Sequence, residues 1–276
     1  MSKLVIFGDS FADKVLTHIP EDKQAWFEIL SKKLNKDLVS YGLNGTSISY
    51  SVSKLFEYLN SLQYHPDDII VFVTSALSRL PLVHDKIVPN YASKWLMYLN
   101  GDLSKKDNAW AHFHQNHNFY KMYHQFFNYE QVKQQKIGIA LTLKGLPNLT
   151  VILSAFEDVT EGLIDDRLDL LKNDTNFILI NAKLFQISEA EFAPTGTTYV
   201  NFTDFFGGEC RHCHLSNSNN QELADQLYNC ITHQSNNYFN KDNFKKHFIP
   251  LDYTQTEILN KELLSLWGRG VKKYNV

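Results

Sequence analysis

An α/β fold with a mostly parallel sheet is what this sequence predicts, from three observations. Apolar runs such as LVIF (4–7) and DDIIVFVT (67–74) are continuous and not alternating, as in strands buried on both faces. Amphipathic helical stretches separate those runs. The chain has 276 residues with a hydrophobic share of 43%, enough for one large domain with a substantial core.

In chain order, the run 4–7 is a strand stopped by Gly8, and a helix is expected from Phe11. Apolar residues at helical spacing predict a second helix over 23–34, KQAWFEILSKKL. KDLVSYG (36–42) reads as a strand ending at Gly42, and 52–62 as an amphipathic helix. The clearest buried strand is 67–74; NLTVILSAF (148–156), FILIN (177–181) and TTYVNF (197–202) follow. A helix over 220–231 comes after them. Parallel sheets carry their chemistry outside the carboxyl ends of the strands. The loops after residues 7, 41, 74 and 202 are therefore the expected site. The main domain is expected over 1–232. Within it, 79–147 reads as a helical, aromatic-rich insertion, with Phe119, Tyr123, Phe126 and Phe127 at helical spacing. It packs a small core of its own or walls the strand ends. Residues 233–276 read as an extension packed on the core.

Charge excludes some partners. Lys+Arg 27 against Asp+Glu 30 leaves a net charge of −3, without the basic field of a nucleic-acid binder. Cysteines number 3, an odd count that cannot form a disulfide framework. MSKLVIFGDS lacks the apolar length and cleavage site of a signal peptide, and no stretch reaches the roughly 18 apolar residues of a membrane span. The expectation is a soluble protein without a membrane span, cytoplasmic or exported without a leader; a virion protein would look the same.

Gly8-Asp9-Ser10 lies where the first strand gives way to a helix. Gly8 can take angles that a Cβ forbids. A serine at a helix start sits among free backbone N–H groups that stabilise an oxyanion, and a base could make it a nucleophile. Asp and Ser are also favoured N-caps, which is the plainer role for both. LVIFGDSFAD resembles the first block of the SGNH (GDSL) hydrolase family, whose fold is a three-layer, flavodoxin-like α/β sheet. The resemblance implies that Ser10 is the nucleophile and that its N–H contributes to the oxyanion hole. Tyr41-Gly42-Leu43-Asn44-Gly45-Thr46-Ser47 is similar to the second block, which implies an oxyanion-binding N–H at Gly45. The resemblance covers roughly residues 1–80 and 195–232.

A serine nucleophile needs a base, and histidine suits the task. Cys213-His214-Leu215-Ser216-Asn217 precedes the helix expected over 220–231 and resembles the family's final block, which implies that His214 is the base. Two departures stand out. The family's Asp three residues before the His is Arg211 here, so the orienting acid is Glu209 or Asp204, or the pair acts as a dyad. The third block lacks its Asn and reads Val73-Thr74-Ser75-Ala76-Leu77-Ser78-Arg79. Thr74 or Ser75 could donate to the oxyanion instead, and Arg79 could bind an anionic part of the substrate.

The implied activity is a serine esterase without a cofactor, acting on an acyl ester or acylated glycan, with a short acyl group on a carbohydrate favoured. Two places offer other chemistry. Cys210-Arg211-His212-Cys213-His214 has the spacing of a haem attachment or a crowded zinc site, but the rest of the chain lacks a second Cys pair, Cys230 being alone. His112, His114 and His117 read as polar positions of the aromatic stretch. No metal is expected. The rival from another class is a catalytically weak or inactive binding protein on the same scaffold, recognising a glycan or a protein.

Overall fold

The computed structural model describes residues 2–9, 11–13, 24–43, 46–75, 129–155, 171–184, 187, 198–200, 215, 217–247 and 249–251. Five strands form a parallel sheet: β1 (Lys3–Phe7), β2 (Asp37–Ser40), β3 (Ile69–Thr74), β4 (Thr150–Ser154) and β5 (Phe177–Lys183). Their order is β2-β1-β3-β4-β5, that of a flavodoxin-like doubly wound sheet. The predicted three-layer α/β fold is the one the chain forms.

The strands alternate their apolar side chains between two separate cores. Leu4, Ile6, Val71, Val73, Val151, Leu153, Ile178 and Ile180 face one core. Helices α1 (Trp26–Leu34) and α4 (Asn217–Thr232) cover it through Trp26, Phe27, Leu30, Leu223, Ala224 and Leu227. Val5, Phe7, Ile70, Phe72, Ile152, Phe177 and Leu179 face the other. There α2 (Ile48–Leu59) and α3 (Tyr129–Lys144) contribute Ile48, Leu55, Tyr58, Ile139, Ala140 and Leu143. Each fully buried Leu, Ile or Phe contributes roughly 1.5–3 kcal/mol, so both faces commit the strands to the interior.

Apolar faces on both sides leave register weakly specified, because a one-residue slip only exchanges two greasy sets. Polar contacts at the amino end of the sheet remove that freedom. The fully buried Asp68 carboxylate, just before β3, accepts from the Lys3 N–H of β1 at 2.6 Å, the His65 N–H at 3.1 Å, and the Tyr58 hydroxyl of α2. The Asn148 amide, just before β4, donates to the carbonyls of Asp68 and His65 at 2.9 Å each and accepts from the Tyr64 hydroxyl at 2.8 Å. Two strands and a helix thus meet on one carboxylate, and a third strand is tied in beside it. The register follows: Leu4 lies opposite Ile69 and Ile70 opposite Thr150.

Three expectations change. Residues 129–144, expected inside an insertion, are the crossover helix α3 between β3 and β4, so any insertion into that crossover ends before Tyr129. The strand expected at 197–202 is β6 (Thr198–Val200), which pairs antiparallel with β7 (Ile249–Leu251) in a separate two-stranded sheet. The strand at 198–200 is therefore not part of the parallel sheet, and the loop after residue 202 lies outside the described residues; continuity of apolar residues could not say which sheet a three-residue strand joins. The last helix starts at Asn217, earlier than expected. Beyond α4, two 3-10 turns (Asn236–Tyr238 and Lys241–His247) pack back on the body. Phe244 is fully buried, Asn236 donates to the Leu179 carbonyl at 3.1 Å, and Gln226 bonds the backbone of Asn240 in both directions. Residues 11–13 form a turn; the helix expected beyond them, the aromatic positions 119–127, the histidines 112–117 and the extension beyond residue 251 lie outside the described residues. Among the described residues, no helix is long and apolar enough to cross a membrane.

Burial and the neighbouring Asp68 carboxylate hold the Tyr58 phenol above its ordinary pKa. Burial also pushes the Cys230 thiol up, from 9.0 to about 11. Tyr58→Phe removes a hydrogen bond to a charged, buried acceptor and should cost about 1.5–3 kcal/mol in urea unfolding at neutral pH. Both groups prefer their neutral forms more strongly when folded. Their stabilisation is present below the unfolded pKa values and lost as pH rises through the folded ones. Wild-type stability should fall above about pH 9–10, and its advantage over Tyr58→Phe should narrow across that range in a pH series of unfolding curves.

Candidate active site

The strand order reverses between β1 and β3, which makes their carboxyl ends the crevice where doubly wound sheets bind ligands. Phe7 lies opposite Phe72, so Gly8 emerges beside Val73. A Cβ on Gly8 would stand 2.8 Å from the Val73 Cβ and 2.9 Å from the Ala12 Cβ, which is why glycine occupies the exit from β1. Asp9 then turns the chain. Its buried carboxylate accepts from the Phe11 N–H at 3.1 Å, and its carbonyl accepts from the Ala12 N–H at 2.9 Å. This is an Asx-type turn, a bond pattern Asp makes readily.

The segment after β2 runs beside this turn. Tyr41 donates its N–H to the Ile6 carbonyl at 2.8 Å and Leu43 to the Gly8 carbonyl at 3.2 Å. Ser40 donates its hydroxyl to the Ala12 carbonyl at 2.7 Å. Gly42 faces Ala12 so closely that a Cβ would fall 1.9 Å from that carbonyl oxygen. Residues 40–43 thus lie beside Ile6, Gly8 and Ala12 at the rim. Nearby on α2, the half-buried Tyr50 phenol is raised above its ordinary pKa by burial, against the opposing charge of Lys54; Glu57 and Asp13 add to the rise. Tyr50 is therefore neutral at physiological pH and able to donate a proton in a hydrogen bond.

Thr74 and Ser75 close β3, both buried. The Thr74 hydroxyl pairs with the Ser154 hydroxyl of β4 at 2.9 Å. The Ser75 hydroxyl has no hydrogen-bond partner among the described residues.

A polar bridge crosses the edge of the α1–α4 layer. Ala25, before α1, has no side-chain acceptor to cap the helix. Asn220 of α4 supplies one from far along the chain: its Oδ1 accepts from the Trp26 N–H at 2.9 Å. Its Nδ2 donates to the Leu215 carbonyl at 3.1 Å. The Trp26 indole Nε1 donates to the Phe11 carbonyl at 2.8 Å. All four residues are buried. Phe11 follows Ser10 in the chain, and Leu215 follows His214.

Of the residues singled out from sequence, Thr74 and Ser75 stand at the crevice; Ser10, Gly45, Arg79, Asp204, Glu209 and His214 lie outside the described residues, as do Cys210, His212 and Cys213. Cys230 is buried in the core. Among the described residues, no group of three or more His, Cys, Asp or Glu side chains could hold a metal ion. Sequence reasoning missed Trp26, Asn220 and Ser154. One signal existed for the bridge: a helix whose entry residue is Ala needs a cap from elsewhere. No family model, curated protein or solved structure matches this chain.

Gly42→Ala should push the β1 exit turn off the β2 segment, because the clash is with backbone and no rotamer relieves it. A loss of about 1–3 kcal/mol in thermal or urea unfolding is expected, typical of overpacked sites. A variant as stable as wild type would contradict the close approach.

Proposed function

We propose that the protein is a serine hydrolase of ester bonds, releasing a short acyl group such as acetyl from a carbohydrate or similar small substrate. The observation that carries this is the Trp26–Asn220 bridge. It ties the residue after Ser10 to the residue after His214, although some 200 positions separate them in the chain. Further support comes from the tight exit at Gly8, the braced turn at Asp9, and the second block running alongside them.

In the proposed reaction His214 takes the hydroxyl proton of Ser10 as its oxygen bonds to the carbonyl carbon. Backbone N–H groups of Ser10 and Gly45 receive the charge that develops on the carbonyl oxygen. Ser75 is the preferred further donor, since the Thr74 hydroxyl is already engaged with Ser154. The tetrahedral intermediate collapses, the carbon–oxygen bond to the alcohol breaks, and His214 returns the proton to that alcohol. Water then attacks the acyl-enzyme by the same route and releases the acid. Glu209 or Asp204 orients the imidazole, and Arg79 holds an anionic part of the substrate.

Incubation with p-nitrophenyl acetate and a fluorophosphonate probe tests this. Hydrolysis and labelling are expected in the wild type and should vanish in Ser10→Ala and His214→Ala, with Tm unchanged. Folded protein that neither hydrolyses the ester nor takes the label would instead be a binding protein on this scaffold.

A further inference from the structure

We infer that Asn220 and Trp26 are positioning residues, which lock the turn after β1 and the segment entering α4 into one register. A buried amide in a mostly apolar layer is costly unless both its ends are satisfied. Asn220 meets that condition with one oxygen and one nitrogen facing two different segments. The assignment of those atoms follows from the partners, since a backbone N–H needs the oxygen and a carbonyl needs the amide N–H. Trp26 extends the link through its own two N–H groups, the backbone one to Asn220 and the indole one to Phe11. A cap on α1 alone would need only the first of these bonds. The bonds to Leu215 and Phe11 bind the two segments to each other. The effect on turnover rests on the esterase reading; the mechanical coupling does not.

Residue-resolved amide exchange on the full chain separates the two. The Phe11 and Ala12 amides, both held by Asp9, report on one side, and peptides over 215–220 on the other. Trp26→Phe deletes the indole bond and should speed exchange at Phe11 and Ala12. Asn220→Ala should speed exchange on both sides. Asn220→Asp keeps an acceptor for the Trp26 N–H but sets it against the Leu215 carbonyl, so only the 215–220 side should loosen. Ile231→Val trims the same core without touching the bridge and should leave both sites at wild-type rates. In Trp26→Phe, Asn220→Ala and Asn220→Asp, but not in Ile231→Val, phosphonylation and kcat for p-nitrophenyl acetate should fall roughly 10- to 100-fold with KM unchanged, as small misplacements of reacting groups do. Asn220→Ala with unchanged exchange at Phe11 and Ala12 overturns the coupling. Coupled exchange with unaltered kcat overturns the positioning role. A wild type that never labels removes the esterase reading, while exchange alone then decides whether the bridge couples the segments.

Discussion

A carboxylate at the floor of the sheet governs the rest of the molecule. Strands with apolar side chains on both faces can slide without exposing anything greasy, so hydrophobic burial alone leaves their register loose. Asp68 is fully buried and takes hydrogen bonds from the start of β1, the last turn of α2 and the turn leading into β3. Leaving any of these groups unpaired in the interior costs more than the bond itself contributes. The arrangement therefore admits one register. Asn148 adds β4 to the same floor through the Asp68 carbonyl.

Fixing the amino ends fixes where the carboxyl ends stop. Gly8 comes level with Val73, Thr74 with Ser154, and the segment after β2 lies against the exit of β1. The rim is thus built on rigid strands, which suits chemistry that depends on fractions of an ångström. The second constraint acts at this opposite end. Two strand exits and the entry to α4 converge there, and polar side chains rather than greasy ones hold them together. Asp9, Ser40, Trp26 and Asn220 each hydrogen-bond backbone groups of neighbouring segments or of their own turn.

The elements of the sheet were legible because each carries a local pattern. LVIF and IIVFV are too apolar to lie anywhere but inside, and Gly8 marks where one of them stops. The helices expected over 23–34 and 52–62 form at 26–34 and 48–59, with the spacing of Trp26, Phe27 and Leu30 and of Leu55 and Tyr58 marking their buried faces and the start at Ile48 falling outside the expected span. The strand at 198–200 was visible, but its partner was not: pairing with 249–251 depends on where the tail returns. The same limit applied to 129–144, where a helix serving the sheet looked like the end of an insertion. Of the candidate site, the glycine-led turn after β1 and the small polar residues closing β3 were readable from their types. The bridge was not, because nothing about Asn220 within its helix distinguishes it from a solvated polar residue.

By itself, the sequence determined which stretches must be buried, that the sheet is parallel, and which tripeptide ends its first strand. Those are local properties: they follow from side-chain polarity and backbone freedom within a few residues. Only the tertiary structure decided that Asp68 pins the strands, that Asn220 caps a helix 194 residues away in sequence, and that Phe11 and Leu215 share that link. Such bonds join groups brought together by the packing of layers, and hydrogen bonding between distant residues leaves no periodic trace in the chain.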